Sequence, residues 1–190
     1  MQKKTYYRAH FDSAGPLVPG DPIDPGGDHL DNLREDIRLG EMRLRKLRPD
    51  LTNLRANSLY LFADLDKARR YYALSGRNRT LYEVEVEGTD VRHEADMQLI
   101  IEIGKAAKDA EAVHLCKMWA NGANTSNPWR EVLVAKATVK SVIHEPGDKL
   151  RVFKELYQSG ALSSQGPLPS EHEQSTHGEP PGRPRLPGGE

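Results

Sequence analysis

From Leu81 to Glu87 the chain alternates without interruption, with Tyr82, Val84 and Val86 on one side and Glu83, Glu85 and Glu87 on the other. Only a strand puts successive side chains on opposite faces, so this segment belongs to a sheet that buries one side and leaves the other to water or a partner. An all-helical architecture is thereby excluded. Thr5 to Ala9 and Leu59 to Phe62 read as further short strands, and Glu131 to Ile143 as two β-branched runs divided near Lys136.

Between the strands the apolar period changes to that of a helix. Leu30, Leu33, Ile37, Leu44 and Leu47 follow the cap Asp28, with a break expected at Gly40 and a stop at Pro49. Asp64 caps a helix that carries Leu65, Ala68, Tyr71 and Tyr72. The spacing of Leu99, Ile100, Ile103, Ala107, Ala110 and Val113 predicts one helix from about Ala95 to Trp119, closed by Asn121-Gly122. Four prolines between Ser13 and Asp28 predict a long loop. Because the strands cluster toward the ends and are not evenly interleaved with helices, the class is α+β.

The chain has 190 residues, which suits one domain at roughly 100–200 residues each. That domain is expected over residues 1–157. From 158 to 190 apolar periodicity is lost among Pro, Gly, Ser and Glu, so this tail is expected to be disordered. His172 and His177 within it are read as no metal site.

No apolar run approaches the roughly 20 residues of a bilayer crossing, and no apolar block follows Lys3-Lys4, so no membrane association and a cytoplasmic location are expected. The single cysteine, Cys116, lies in the long helix and reads as a buried, unreactive thiol. Net charge is −1, which points to no polyanion globally, although Arg34, Arg38, Arg43, Arg45, Lys46 and Arg48 crowd one helix. That helix is either an ordinary solvated face or a phosphate-holding one, and the interleaved Glu35, Asp36 and Glu41 favour the first. Familiar glycine-rich phosphate loops, His-Glu-x-x-His and paired metal-binding cysteines are missing from the sequence.

Three segments carry the functional reading: Tyr6-Tyr7-Arg8-Ala9-His10, Ser58-Leu59-Tyr60-Leu61-Phe62 with Ala68 and Tyr72, and Trp129-Arg130-Glu131-Val132-Leu133-Val134. A basic residue on an early strand, a hydroxyl with aromatics on a middle strand, and a glutamate heading a late one, in that order, resemble the ADP-ribosyltransferase-like superfamily. The likeness is to its small bacterial and phage type, including rifamycin-modifying and toxin-like transferases, and it spans about residues 5–145.

The resemblance implies a split mixed β-sheet core with flanking helices. NAD would be the substrate, and the acceptor a protein, nucleic acid or small molecule. A neutralising partner would accompany a toxin. Glu131 would be catalytic, and Arg8, His10, Ser58, Tyr60, Tyr72 and Trp129 would surround the cofactor. An alternative alignment puts His10 in the first motif with Tyr60 as its stacking aromatic. Trp129 stands where protein-modifying relatives carry Glu or Gln, which weakens the case for an arginine acceptor. An NAD glycohydrolase and an inactive binding module of the same fold, for protein or nucleic acid, are the alternatives.

The chemistry accounts for these residue types. Breaking the nicotinamide–ribose bond develops oxocarbenium character, which a fixed carboxylate stabilises more in the transition state than in the ground state. A guanidinium offers a planar fork to pyrophosphate oxygens. Each residue also has a structural reading: Arg8 as a surface partner of Glu83 or Glu85, Glu131 as a polar strand start, Ser58 as a turn residue, Tyr60 as sheet packing. His93 and Asp96 read as a helix start in preference to a metal or catalytic pair.

Overall fold

The computed structural model describes residues 2–11, 15–26, 30, 33, 35–75 and 78–162. The strands are β1 (Lys3–His10), β2 (Pro22–Ile23), β3 (Leu59–Phe62), β4 (Thr80–Glu87), β5 (Val91–Asp96), β6 (Arg130–Val134) and β7 (Ala137–His144). The helices are α1 (Glu35–Leu47), α2 (Thr52–Ala56), α3 (Leu65–Leu74), α4 (Met97–Lys105), α5 (Asp109–Ala120) and α6 (Lys149–Gln158). The class is α+β, as the patterning requires.

The strands form one sheet in the order β2-β7-β4-β1-β3-β6-β5. Every pairing among the described residues is antiparallel, which corrects the expectation of a mixed sheet. Its two halves meet weakly. β1 and β4 stay in register over eight residues, whereas β1 and β3 share the single pair Tyr7↔Phe62. That seam is the nearest feature to the expected split.

One face of the sheet carries the helices. Leu133, Tyr60 and Phe62 pack with α1, α4 and α5, while Ala9 and Leu81 pack with α3 and α6. On the other face Tyr6, Tyr82, Val84, Val86, Leu59, Leu61, Val132 and Val134 are buried in a cluster to which, among the described residues, no helix contributes. Lys4 of β1 pairs with Glu94 of β5 at 3.9 Å, although three strand spacings, roughly 14 Å in a flat sheet, separate those strands. The sheet therefore curls over its own apolar face.

Two helix boundaries depart from the periodicity. α1 runs unbroken through Gly40, because the glycine sits where α4 crosses: a Cβ there would lie 1.8 Å from the Ile100 carbonyl oxygen, and one on Gly104 would lie 2.9 Å from the Gly40 nitrogen. The single helix expected from Ala95 to Trp119 is two, α4 and α5. Arg43 Nη1 donates to the carbonyls of Ile103 (3.2 Å) and Ala106 (2.5 Å), satisfying the end of α4, and Nη2 pairs with Asp109 at the start of α5 (2.8 Å).

His93 lies in a strand, β5, not at a helix start. Asp96 ends that strand and caps α4, accepting from the Gln98 amide at 2.9 Å. Gly122, with φ +68, closes α5 as expected. The Pro-rich loop contains β2, whose Pro22 and Ile23 pair with β7.

The described residues begin α1 at Glu35, so the expected cap Asp28 lies outside them, as do residues 163–190 with His172 and His177. No helix among the described residues is long and apolar enough to cross a membrane.

Candidate functional site

Glu131 heads β6 and faces the helices, opposite Phe62 of β3 and Ala95 of β5. It is 3% exposed. Its Oε1 accepts from Arg55 Nη1 (2.6 Å) and from the Trp119 indole Nε1 (3.1 Å). Oε2 makes no hydrogen bond among the described residues. Arg55, from the short helix α2, also grips Glu41 of α1 through Nε (2.8 Å) and Nη2 (2.6 Å), and Glu41 takes Arg45 Nε at 2.9 Å. The Arg55 guanidinium lies between two rings, 4.7 Å from the centroid of Tyr60 and 4.9 Å from that of Trp119. Glu41, Arg55 and Glu131 thus form one buried ionic row.

The electrostatics follow from this packing. Burial alone would raise the Glu41 carboxyl, but Arg55 and Arg45 outweigh it and hold it below its ordinary value. Burial also opposes the charge on Arg55, and Glu131, Tyr60 and Glu41 outweigh it, so the guanidinium is held charged. The Tyr60 phenol is pushed well up, first by burial. Its hydroxyl donates to the Arg55 carbonyl at 2.5 Å, which ties α2 to β3.

Arg8 is placed differently. It sits beside the seam, where Nη1 donates to the Tyr60 carbonyl at 2.7 Å, while its Nε is enclosed without an acceptor. It does not pair with Glu83 or Glu85, which take Lys140 and Lys3 instead. Burial, with repulsion from Arg79 adding to it and the Tyr71 phenol opposing, lowers Arg8 to about 10. Among the described residues this arginine has one carbonyl partner and no anion.

The expected site residues do not all converge. The register aligns Tyr7, Phe62 and Glu131, so Arg8 leaves β1 on the face opposite Glu131. Tyr60 is what they share: its carbonyl holds Arg8, and its ring and hydroxyl hold Arg55, which holds Glu131. Ser58 does not tie Glu131. It precedes β3, roughly 13 Å along the strand from Phe62, and its Oγ takes Arg92 at 3.5 Å.

Tyr72 is fully buried, stacks on His144 with centroids 5.6 Å apart, donates to the Glu145 carbonyl, and is pushed by burial to about 12. It fastens α3 to the segment before α6. His10 meets Tyr82 edge-on at 6.4 Å. Trp129 is buried with its ring edge toward Phe62 at 6.5 Å and Lys67 Nζ 5.9 Å above it, and its amide is held by Asp96 at 2.8 Å.

Arg55, Glu41 and Arg79 were not singled out by any sequence motif. Arg55 lies three residues before Ser58 in a polar stretch with no pattern to mark it. The basic α1 face is largely committed within the fold, since Arg43 caps α4, Arg45 takes Glu41, and Arg48 takes Asp50 at 2.6 Å. Cys116 is buried, and burial raises its thiol, in keeping with an inert residue. Asp96 takes four protein donors, from Gln98, Thr125 and Trp129, so it works as a loop staple. No group of three or more His, Cys, Asp or Glu among the described residues is arranged to hold a metal ion. The chain matches no family model, and no curated sequence is significantly similar to it.

Proposed function

We propose that the protein binds NAD at the β1/β3 seam and transfers ADP-ribose to an acceptor with release of nicotinamide. The observation that supports this reading most is Arg8, whose Nε is enclosed and whose guanidinium meets one carbonyl and no carboxylate among the described residues. Such a group binds a phosphate without giving up an ion pair. In the reaction the bond between nicotinamide nitrogen and ribose C1′ breaks, and its electron pair leaves with nicotinamide. The acceptor nucleophile then bonds C1′ and yields its proton to a base. Glu131 is the carboxylate for the developing positive charge, with Oε1 fixed by Arg55 and Trp119 and Oε2 left for a ribose hydroxyl. Tyr60 couples the two halves of this site.

A second reading draws on the burial of Glu131. At 3% exposure and clamped by a guanidinium, the carboxylate resembles a structural ion-pair member, as it would be in an inactive nucleotide-binding module. Thermal melts against NAD concentration test binding. The melting temperature should climb with log NAD once NAD exceeds its dissociation constant. Arg8→Ala should flatten that climb, weakening NAD by about tenfold or more, as loss of a charged hydrogen bond does. An NAD-independent melting curve at millimolar NAD refutes both readings, and nicotinamide release separates them.

A further inference from the structure

Arg79, just before β4, is a second guanidinium beside Arg8. Its Nη1 donates to the Ala9 carbonyl at 3.3 Å, its Cζ lies 5.5 Å from the Tyr71 ring centroid, and its Nε is enclosed without an acceptor. Ala9 is the next residue along β1 from Arg8, so both arginines converge on the same strand end. Among the described residues neither forms an ion pair with a carboxylate, whereas Arg43, Arg45, Arg48, Arg55, Arg69, Arg130 and Arg151 all do. The arginines other than Arg8 and Arg79 thus include many that are paired with carboxylates, whereas these two neighbours carry no such partner among the described residues and repel each other. Arg79 is one of the charges that depress Arg8.

An anion shared by the two would relieve that repulsion. Two rigid planar forks, each with an unused Nε donor, suit a ligand with several oxygens on adjacent centres better than a single phosphate. From Arg79 a row of rings leads along the helix-bearing face: Tyr71 is 5.1 Å from Phe62, and Phe62 is 6.5 Å from Trp129. Phe62 stands directly opposite Glu131.

We propose that Arg8 and Arg79 together form a receptor for the diphosphate of a nucleotide, with Arg79 the second phosphate-binding residue of the site. The inference deepens the NAD reading and rests on it for the identity of the ligand.

Calorimetric titration of the full chain with ADP, AMP and inorganic pyrophosphate, at low salt, tests it. ADP should bind about tenfold or more tightly than AMP, and pyrophosphate should compete with ADP. Arg79→Ala and the size-conserving Arg79→Gln should each weaken ADP by about tenfold while affecting AMP less, and melting curves identify any variant that fails to fold. Equal affinities for ADP and AMP overturn the proposal. So does wild-type affinity for ADP in a folded Arg79→Gln, or a wild type that binds neither ADP nor pyrophosphate at millimolar concentration. The two proposals also fail separately. Binding of ADP through both arginines by a protein that releases no nicotinamide from NAD leaves the receptor and removes the transfer. Nicotinamide release whose KM for NAD ignores Arg79→Gln removes the receptor and leaves the transfer.

Discussion

Arg55→Met removes the cation at the centre of the buried ionic row and keeps most of its aliphatic bulk. Glu41 and Glu131, 0% and 3% exposed, then lose a shared partner. Breaking a buried ion pair costs about 3–5 kcal/mol. Glu41 retains Arg45 and Glu131 retains Trp119, so the loss should stay near one pair's worth, about 4 kcal/mol, and not double. With a urea slope of about 2 kcal/mol per molar, the unfolding midpoint should fall by about 2 M at neutral pH.

The pH dependence carries its own sign. In the wild type Glu41 is held below its ordinary value, so its contribution is full above that value and is lost as pH falls through the folded one. In the variant, Glu41 loses the cation that outweighs its burial, so burial raises its carboxyl and the folded state takes up a proton more readily, and the gap between the proteins should narrow from pH 7 toward about pH 5. Adding Glu41→Gln and Glu131→Gln should recover part of the loss. A midpoint shift under about 0.5 M with an unchanged slope, or a gap that widens on acidification, would refute the buried ionic row as a stability determinant.

Gly40→Ala should destabilise by about 3 kcal/mol in urea melts, since the added Cβ would sit 1.8 Å from the Ile100 carbonyl oxygen; a change below about 1 kcal/mol would mean that α1 and α4 slide apart freely. His144, whose value burial and then Arg69 and Arg151 lower, is folded in its neutral form; stability should fall as pH drops below its ordinary 6.5, and His144→Phe should flatten that part of the curve. Ser58→Ala should leave any NAD turnover within about twofold, because Ser58 bonds Arg92 and not Glu131; a loss of about a hundredfold would return it to the site.

Local chemistry was readable where it acts locally. β3 and β4 are found within a residue of the expected spans because alternation and apolar runs report a half-buried strand directly, and the Asp64 cap needs only its own turn. The interruption between α4 and α5 was not readable, since it depends on Arg43 arriving from α1. β5 escaped notice as an edge strand of mostly polar residues, and Gly40 suggests a break until the Ile100 carbonyl that it admits is known.

The site divides in the same way. Arg8, Tyr60 and Glu131 could be chosen by type and order. That Arg55 would clamp Glu131 and that Ser58 would face Arg92 depend on partners 34 to 76 residues distant, and that Arg8 would meet no carboxylate among the described residues depends on the whole surrounding fold.

Nicotinamide release from labelled NAD, with and without cell lysate as acceptor source, tests the proposed transfer most directly when wild type, Arg8→Ala and Glu131→Gln are compared. The wild type should release nicotinamide and label one fraction of the lysate. Glu131→Gln should bind NAD within a few-fold of the wild type yet turn over about a hundredfold more slowly, and Arg8→Ala should lose affinity. Release by the wild type that lysate does not stimulate, with no fraction labelled, would make water the acceptor. Equal release by wild type and Glu131→Gln, or none from either above buffer, would contradict Glu131 as the catalytic carboxylate.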